Sequence, residues 1–246
     1  MNWIEKIEDN FSLIKKIVFV TGAGISHESG IPTFRGKDGL WRNHDAMKLA
    51  TIDAFNENPQ FVWEWYNERR KNIFESFPNK GHQAIAELQE LFDVVVLTQN
   101  VDGLHKKAGS RNVYELHGDI ITLRCTNCDF IEENFSEFSE FPPKCRCGSI
   151  LRPNVVWFGE SLPQQVWRDS IIHASESDLM IIVGTSLVVS PANTLPLIAK
   201  ENGSILMEIN PEKTEMSAEM DFSIQEKSAK FLPEFVNELK KIKSRK

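Results

Sequence analysis

No stretch of this 246-residue chain approaches the ~20 consecutive apolar residues that a membrane helix requires. A basic surplus is missing too. The 28 Lys and Arg stand against 35 Asp and Glu, a formal net charge of −7 that leaves no electrostatic footprint for nucleic acid. The opening MNWIEKIEDN is acidic and amphipathic and lacks the pattern of a secretion signal. Cysteine is scarce: the four present fall within Cys125–Cys147, so they do not staple the chain along its length. No internal repeat occurs. These absences lead us to expect a soluble, cytoplasmic protein in a reducing compartment, with neither nucleic acid nor membrane as partner. The basic run Lys240–Lys246 reads as a solvated helix end.

The length allows one large domain, or a large and a small one. Apolar runs recur at Ile17–Val20, Val94–Leu97, Leu179–Val183 and Ile205–Ile209, with helical patterns such as Gly81–Phe92 between them. Strands alternating with helices predict a doubly wound parallel sheet, class α/β. Two stretches break the rhythm. Residues 33–77 are rich in aromatics and look helical without a strand. Residues 120–151 carry the cysteines and a Phe/Glu segment of low helical order. Both read as insertions that form a small second domain. Pro191, Pro196 and Pro233 are expected in loops or at helix starts.

Polar residues crowd one strand end. Gln99, Asn100 and Asp102 follow Val94–Leu97 directly, and His117 comes soon after. In an open α/β sheet, ligands sit in the crevice beyond the carboxyl ends of the strands, so this cluster is a pocket candidate. Histidine is the side chain whose ordinary pKa suits a base near neutrality. Gly184-Thr185-Ser186 and Asn210 end two further strands and extend the same crevice. After the first strand, Gly22-Ala23-Gly24 suits a backbone that must approach a phosphate, or simply a tight turn. The full dehydrogenase fingerprint needs a third glycine where His27 stands, and no strand ending in an acid follows about 20 residues later, so hydride transfer is disfavoured.

Cys125-Thr126-Asn127-Cys128 and Cys145-Arg146-Cys147 form two knuckles separated by residues 129–144. That spacing is the signature of a closed four-thiolate structural zinc site, although the second knuckle is one residue short. A redox pair or buried free thiols are the other readings. A zinc ion there would fold a segment too poor in core to fold alone.

Assembled, these residues resemble the sirtuins, the NAD-dependent protein deacylases, over roughly Val18 to Val236. The blocks that carry the resemblance are GAGISHESGIPTFRG (22–36), TQNVDGLH (98–105), ELHGD (115–119), the cysteine pairs, RPNVVWFGE (152–160) and GTSLVVSPA (184–192). The resemblance implies a Rossmann-like NAD-binding domain of residues 1–34, 78–120 and 152–246. It also implies a small domain made of a helical insertion, 35–77, and a zinc-binding insertion, 121–151. Gly22, Ala23 and Gly24 would hold the pyrophosphate. Phe34 and Arg35 would belong to a loop over the nicotinamide ribose, with Trp41 also a cofactor residue. Gln99, Asn100, Val101 and Asp102 would form the nicotinamide pocket, in which Asp102 accepts from the carboxamide N–H2. Gly184, Thr185, Ser186 and Asn210 would contact the ADP-ribose half, and Ser228 the adenine. Val155, Val156, Trp157 and Phe158 would pair with an extended acylated-lysine peptide by strand addition.

In the chemistry the family implies, the acyl oxygen attacks the ribose carbon as nicotinamide leaves. His117, assisted by Asn100, then acts as base on a ribose hydroxyl, and the products are free lysine, nicotinamide and acyl-ADP-ribose. One departure is Thr33, where many sirtuins carry an acid. Residues Phe61–Arg70 resemble the class III subgroup that removes acidic acyl groups, in which a Tyr and an Arg three residues later line the acyl pocket. Tyr66 and Arg69 match that spacing, which sets both on one helix face, and the small Ala46 would leave room for a succinyl chain. The other reading of this stretch is an amphipathic helix with Tyr66 in a core and Arg69 solvated. The resemblance thus implies removal of succinyl, malonyl and acetyl groups. Two alternatives are an NAD-dependent protein ADP-ribosyltransferase and a non-enzymatic NAD-responsive binding module.

Overall fold

The computed structural model describes residues 2–33, 46–136, 138 and 140–245. Nine strands occur among them: β1 (Lys16–Thr21), β2 (Asp93–Thr98), β3 (Asn112–Glu115), β4 (Gly118–Cys125), β5 (Ile131–Glu133), β6 (Leu151–Val155), β7 (Leu179–Val183), β8 (Ile205–Ile209) and β9 (Phe222–Ile224). The helices are α1 (Trp3–Asn10), α2 (Ala23–His27), α3 (Ala46–Leu49), α4 (Ile52–Glu57), α5 (Pro59–Glu75), α6 (Lys80–Glu87), α7 (Leu104–Lys107), α8 (Gln164–Ser175), α9 (Leu195–Glu201) and α10 (Ser228–Arg245).

Six strands form one parallel sheet in the order β3-β2-β1-β7-β8-β9. The chain builds outward from β1 to β3, returns, and builds the other way from β7 to β9. The strand order therefore reverses between β1 and β7, which is where such sheets open a ligand crevice. Side chains alternate across each strand. Ile17 and Phe19 of β1 join the core under α1, α6 and α10, while Val18 and Val20 join the core under α8 and α9. Burial on both faces is why these strands read as continuous apolar runs.

A third core joins α4 and α5 to a three-stranded antiparallel sheet, β5-β4-β6, that carries the cysteines. The two insertions seen in the sequence thus share one interior, with Trp63, Tyr66 and Trp157 buried beside Ile120, Leu123 and Leu151. The sheet runs from Gly118 to Val155, past residues 121–151 at both ends. Asn58 starts α5 by accepting a hydrogen bond from Phe61 N–H at 3.0 Å, with Pro59 at the first helical position. Arg70, 1% exposed, ties α5 to the cysteine segment. Its guanidinium donates to the carbonyls of Ile120 (2.5 Å) and Asn134 (2.6 Å).

Two sequence expectations change. Strands β3 and β9 lie at the sheet edges, only half buried, and so lack the apolar run that marks the others. Pro233 lies inside α10 and neither in a loop nor at the helix start. Burial of Phe231, Leu232, Phe235 and Val236 around it offsets the missing hydrogen bond, which is worth ~3 kcal/mol with the ring clash included.

Candidate active site

The loops after β1 and β7 touch at the crossover. Gly24 N–H donates to Gly184 O at 2.8 Å, and Gly22 N–H to Val183 O at 3.0 Å. A Cβ on Gly22 would lie 2.6 Å from Thr185 Cβ, and one on Gly24 would lie 2.7 Å from Gly184 Cα. Gly184 adopts φ +58° and has Ile25 N at 2.5 Å from its own missing Cβ. The sequence suggested that these glycines serve approach to a phosphate. The packing shows that they are needed first for one strand-end loop to lie against the other.

Around this contact opens a cleft of about 1490 Å3. Gly22, Ala23, Gly24, Gln99, Asn100, Val101, His117, Gly184, Thr185, Ser186 and Asn210 line it, so groups from the carboxyl ends of five parallel strands converge. Gln99 Nε2–H donates to Thr185 Oγ1 (2.9 Å), and Asn210 Nδ2–H to Thr185 O (3.2 Å). Asn100 Nδ2–H donates to Gly22 O (3.0 Å) and Ser26 Oγ (3.2 Å), leaving Oδ1 as its acceptor. Asp102 stands behind that wall. It is buried and accepts from Ser26 Oγ–H (2.7 Å) and Leu104 N–H (2.9 Å). Burial raises its pKa, while those hydrogen bonds and the charge of Arg69 pull the other way.

Sequence reasoning missed a buried relay beneath these groups. Thr21 Oγ1–H donates to Thr98 Oγ1 at 2.8 Å, so His105, 3.0 Å away, donates its Nε2–H to Thr21. Thr98 Oγ1 in turn accepts from Asn100 N–H at 3.0 Å. His82 Nδ1 accepts from Asn79 N–H at 3.4 Å, which puts the ring proton on Nε2, facing Ser26 Oγ at 3.4 Å. Burial lowers the pKa of His82 to about 4 and that of His105 well below its ordinary value. Both rings are neutral. Ser26 and His105 lie inside the quoted blocks, whereas nothing in the sequence singles out His82.

His117 precedes β4 and has Nδ1 3.0 Å from Gln99 O. A carbonyl only accepts, so Nδ1 carries the proton and Nε2 is the bare nitrogen of the neutral ring. Burial holds its pKa below the ordinary histidine value, against the opposing effect of the Gln99 bond. Tyr66, Arg69, Val155, Val156, Trp157 and Phe158 line the same cleft. Trp157 Nε1–H donates to Tyr66 Oη at 2.8 Å, and the Arg69 guanidinium lies 4.7 Å from the Trp65 ring centre. Burial lowers the pKa of Arg69, and Tyr66 and Asp102 oppose that shift. Along 155–158 the N–H groups of Val156, Trp157 and Phe158 are taken by His117 O, Glu160 Oε2 and Ala50 O.

Ser228 does not line the cleft; it begins α10, buried against Gly81. Phe34, Arg35 and Trp41 lie outside the described residues, as does the side chain of Ala46.

The ligand atoms of Cys125, Cys128, Cys145 and Cys147 all lie within 4.8 Å of one another, with 3.5 Å between Cys125 and Cys147 and 3.7 Å between Cys128 and Cys145. Tetrahedral zinc with Zn–S of about 2.3 Å requires S···S edges of about 3.8 Å, so the four free thiols fit that ion. At these distances no disulfide links them in this structure.

The Sir2 family model matches residues 22–191. A curated protein named NAD-dependent protein deacylase 1, from Caldanaerobacter subterraneus subsp. tengcongensis, is 50% identical over 89% of this chain and 91% of its own length. The fold superposes with a TM-score of 0.95 on a Sir2 homologue mutant–ADP-ribose complex that is 45% identical, covering 100% of this chain and 99% of that one. A Sir2–p53 peptide–NAD+ structure matches at 0.86 and 34% identity, over 97% and 98% of the two chains.

Proposed function

Since this chain belongs to the Sir2 family, we propose that it is an NAD-dependent protein-lysine deacylase that takes succinyl and malonyl groups, with acetyl as a second substrate. The observation that carries the acyl choice is the placing of Tyr66 and Arg69 in the same cleft as His117. A guanidinium fork binds a carboxylate bidentately, and Tyr66 adds an O–H donor. A charge-assisted bond of ~1.5–3 kcal/mol corresponds to roughly one to two decades in favour of succinyl over acetyl.

NAD as co-substrate supplies a ribose carbon from which nicotinamide departs. The cleft suits it: polar groups converge from five strand ends, in a volume large enough for a dinucleotide beside a peptide side chain. Gln99, Asn100 and Val101 form the wall for nicotinamide, held from behind by Asp102 and Ser26. Gly22–Gly24, Gly184–Ser186 and Asn210 hold the phosphates and the remaining ribose. His117 Nε2 is the base for a ribose hydroxyl, and closure of the site keeps competing water out. The four cysteines hold a structural zinc with no open position. The large domain is 1–34, 78–120 and 152–246, and insertions 35–77 and 121–151 form the small one. No helix among the described residues is long and apolar enough to cross a membrane.

The deciding experiment compares kcat/KM on matched succinyl and acetyl peptides for wild type and Arg69→Met. A loss confined to the succinyl peptide supports the assignment, and an equal loss on both sinks it. Mass spectrometry of the products separates acyl-ADP-ribose from ADP-ribosylated protein.

A further inference from the structure

Beyond Phe158, the wall of the cleft continues into a second cavity of about 520 Å3. Val155, Val156, Glu160 and Ser161 line both spaces, and Gly118, Arg124, Asn154 and Pro163 line only the second. The cavity therefore adjoins the segment along which a substrate peptide is read to run.

Its charges do not balance. The Glu160 carboxylate receives Arg152 through both oxygens, at 2.7 and 2.9 Å, and also the Trp157 N–H at 2.8 Å. Arg124 reaches it with Nη2 alone, at 3.1 Å. Among the described residues, two guanidiniums thus share one carboxylate, leaving one positive charge over. Arg152 is sealed, with 8% of its side chain exposed and its guanidinium 3.2 Å from the Trp157 ring centre. Arg124 keeps 40% exposure, so the surplus charge faces the cavity there. A carboxylate entering the cavity would balance that charge. In a chain of net charge −7, this is a local feature and not part of a general basic field.

We propose that this cavity is a substrate subsite in which Arg124 receives an acidic side chain of the acylated peptide, an Asp or Glu flanking the modified lysine. The proposal rests on the reading that the peptide runs along Val155–Phe158.

The test measures kcat/KM on acetyl-lysine peptides carrying Glu, Gln or Lys at each flanking position in turn. Acetyl-lysine without flanking residues serves as reference, and the enzymes are wild type, Arg124→Lys, Arg124→Gln and Arg124→Glu. At one position the wild type should favour Glu over Gln by roughly two- to fivefold, as expected for a half-exposed ion pair. The preference should lie in KM and shrink as salt is raised. It should survive in Arg124→Lys, vanish in Arg124→Gln and turn toward Lys in Arg124→Glu. Each preference is a ratio within one enzyme, so general loss of activity in a variant does not mimic it. The subsite alone is overturned if neutral flanks improve on the reference but no position prefers an acid, or if Arg124→Gln keeps the preference. Neutral flanks that bring no gain at all overturn the peptide path, and the subsite with it.

Discussion

Trp157 donates its indole Nε1–H to the Tyr66 hydroxyl at 2.8 Å, across the shared core of the two insertions. With one lone pair of Oη taken by that donor, the phenol is fixed in place with its own proton left to give. The Trp157 ring is itself held, 2% exposed, under the Arg152 guanidinium. Replacing Trp157 by Phe keeps an aromatic ring there but removes the N–H together with one ring of the indole. Desuccinylation kcat/KM should fall roughly two- to tenfold, the worth of one neutral hydrogen bond, while deacetylation stays near wild type. In combination with Tyr66→Phe the effect should not add. Equal losses on the two acyl groups would count against this coupling.

The acid limb of the pH–kcat/KM profile should reveal His117. A base must be unprotonated, so activity falls as pH drops through its pKa, which burial holds below the ordinary value of about 6.5. The midpoint on an acetyl peptide should lie below that figure. His117→Ala should lose roughly two to four decades of kcat. A midpoint above 6.5 with the chain still folded would be inconsistent with a neutral buried ring.

Zinc content should be one ion per chain, lost only with structure. The cysteines link β4 to the 145–151 turn, and a small sheet of this kind has little core of its own. Chelation should open β4–β6 to hydrogen exchange while leaving the amides of β1, β2 and β7 protected. Uniform exposure of both sheets would show the two cores to be one cooperative unit.

Arg70→Met should be costly although it touches no ligand. It leaves the Ile120 and Asn134 carbonyls without their donors. At about 1–3 kcal/mol per orphaned group, Tm should drop by roughly 5–15 °C for a chain of this size. Calorimetry reads this directly, and an unchanged Tm would refute the anchoring role.

His82 makes the fold sensitive to acid. Its pKa is about 4 when folded, against about 6.5 when unfolded, so the folded chain resists a proton that the unfolded chain accepts. The stabilisation is complete above the unfolded value and is lost as pH falls toward the folded one, up to about 3 kcal/mol. His105 acts in the same direction. Urea unfolding between pH 7 and pH 4.5 should show a shallower pH slope for His82→Asn than for wild type, and identical slopes would exclude this source.

Much of the sheet was legible because β1, β2, β7 and β8 are buried on both faces and must be apolar throughout. The polar groups at their carboxyl ends stood out against that background for the same reason. Edge strands β3 and β9 carry no such mark, and Pro233 misled because a helix packed this firmly tolerates it. Ser228, given to the adenine by resemblance alone, opens α10 and is not among the residues lining the cleft.

Arg69 and Arg70 show where reading along the chain stops. The sequence by itself determined a doubly wound sheet, a four-cysteine module, a histidine beside a polar crevice, and a helix bearing Tyr66 and two adjacent arginines. It treats those arginines alike. Neighbours on a helix point about 100° apart, so only the packing of α5 between cleft and zinc module separates their tasks. Arg69 lines the cleft, and Arg70 is locked onto backbone carbonyls of the module. Which of two identical charges meets the ligand depends on what each face of the helix is packed against, and the nearby chain does not encode that.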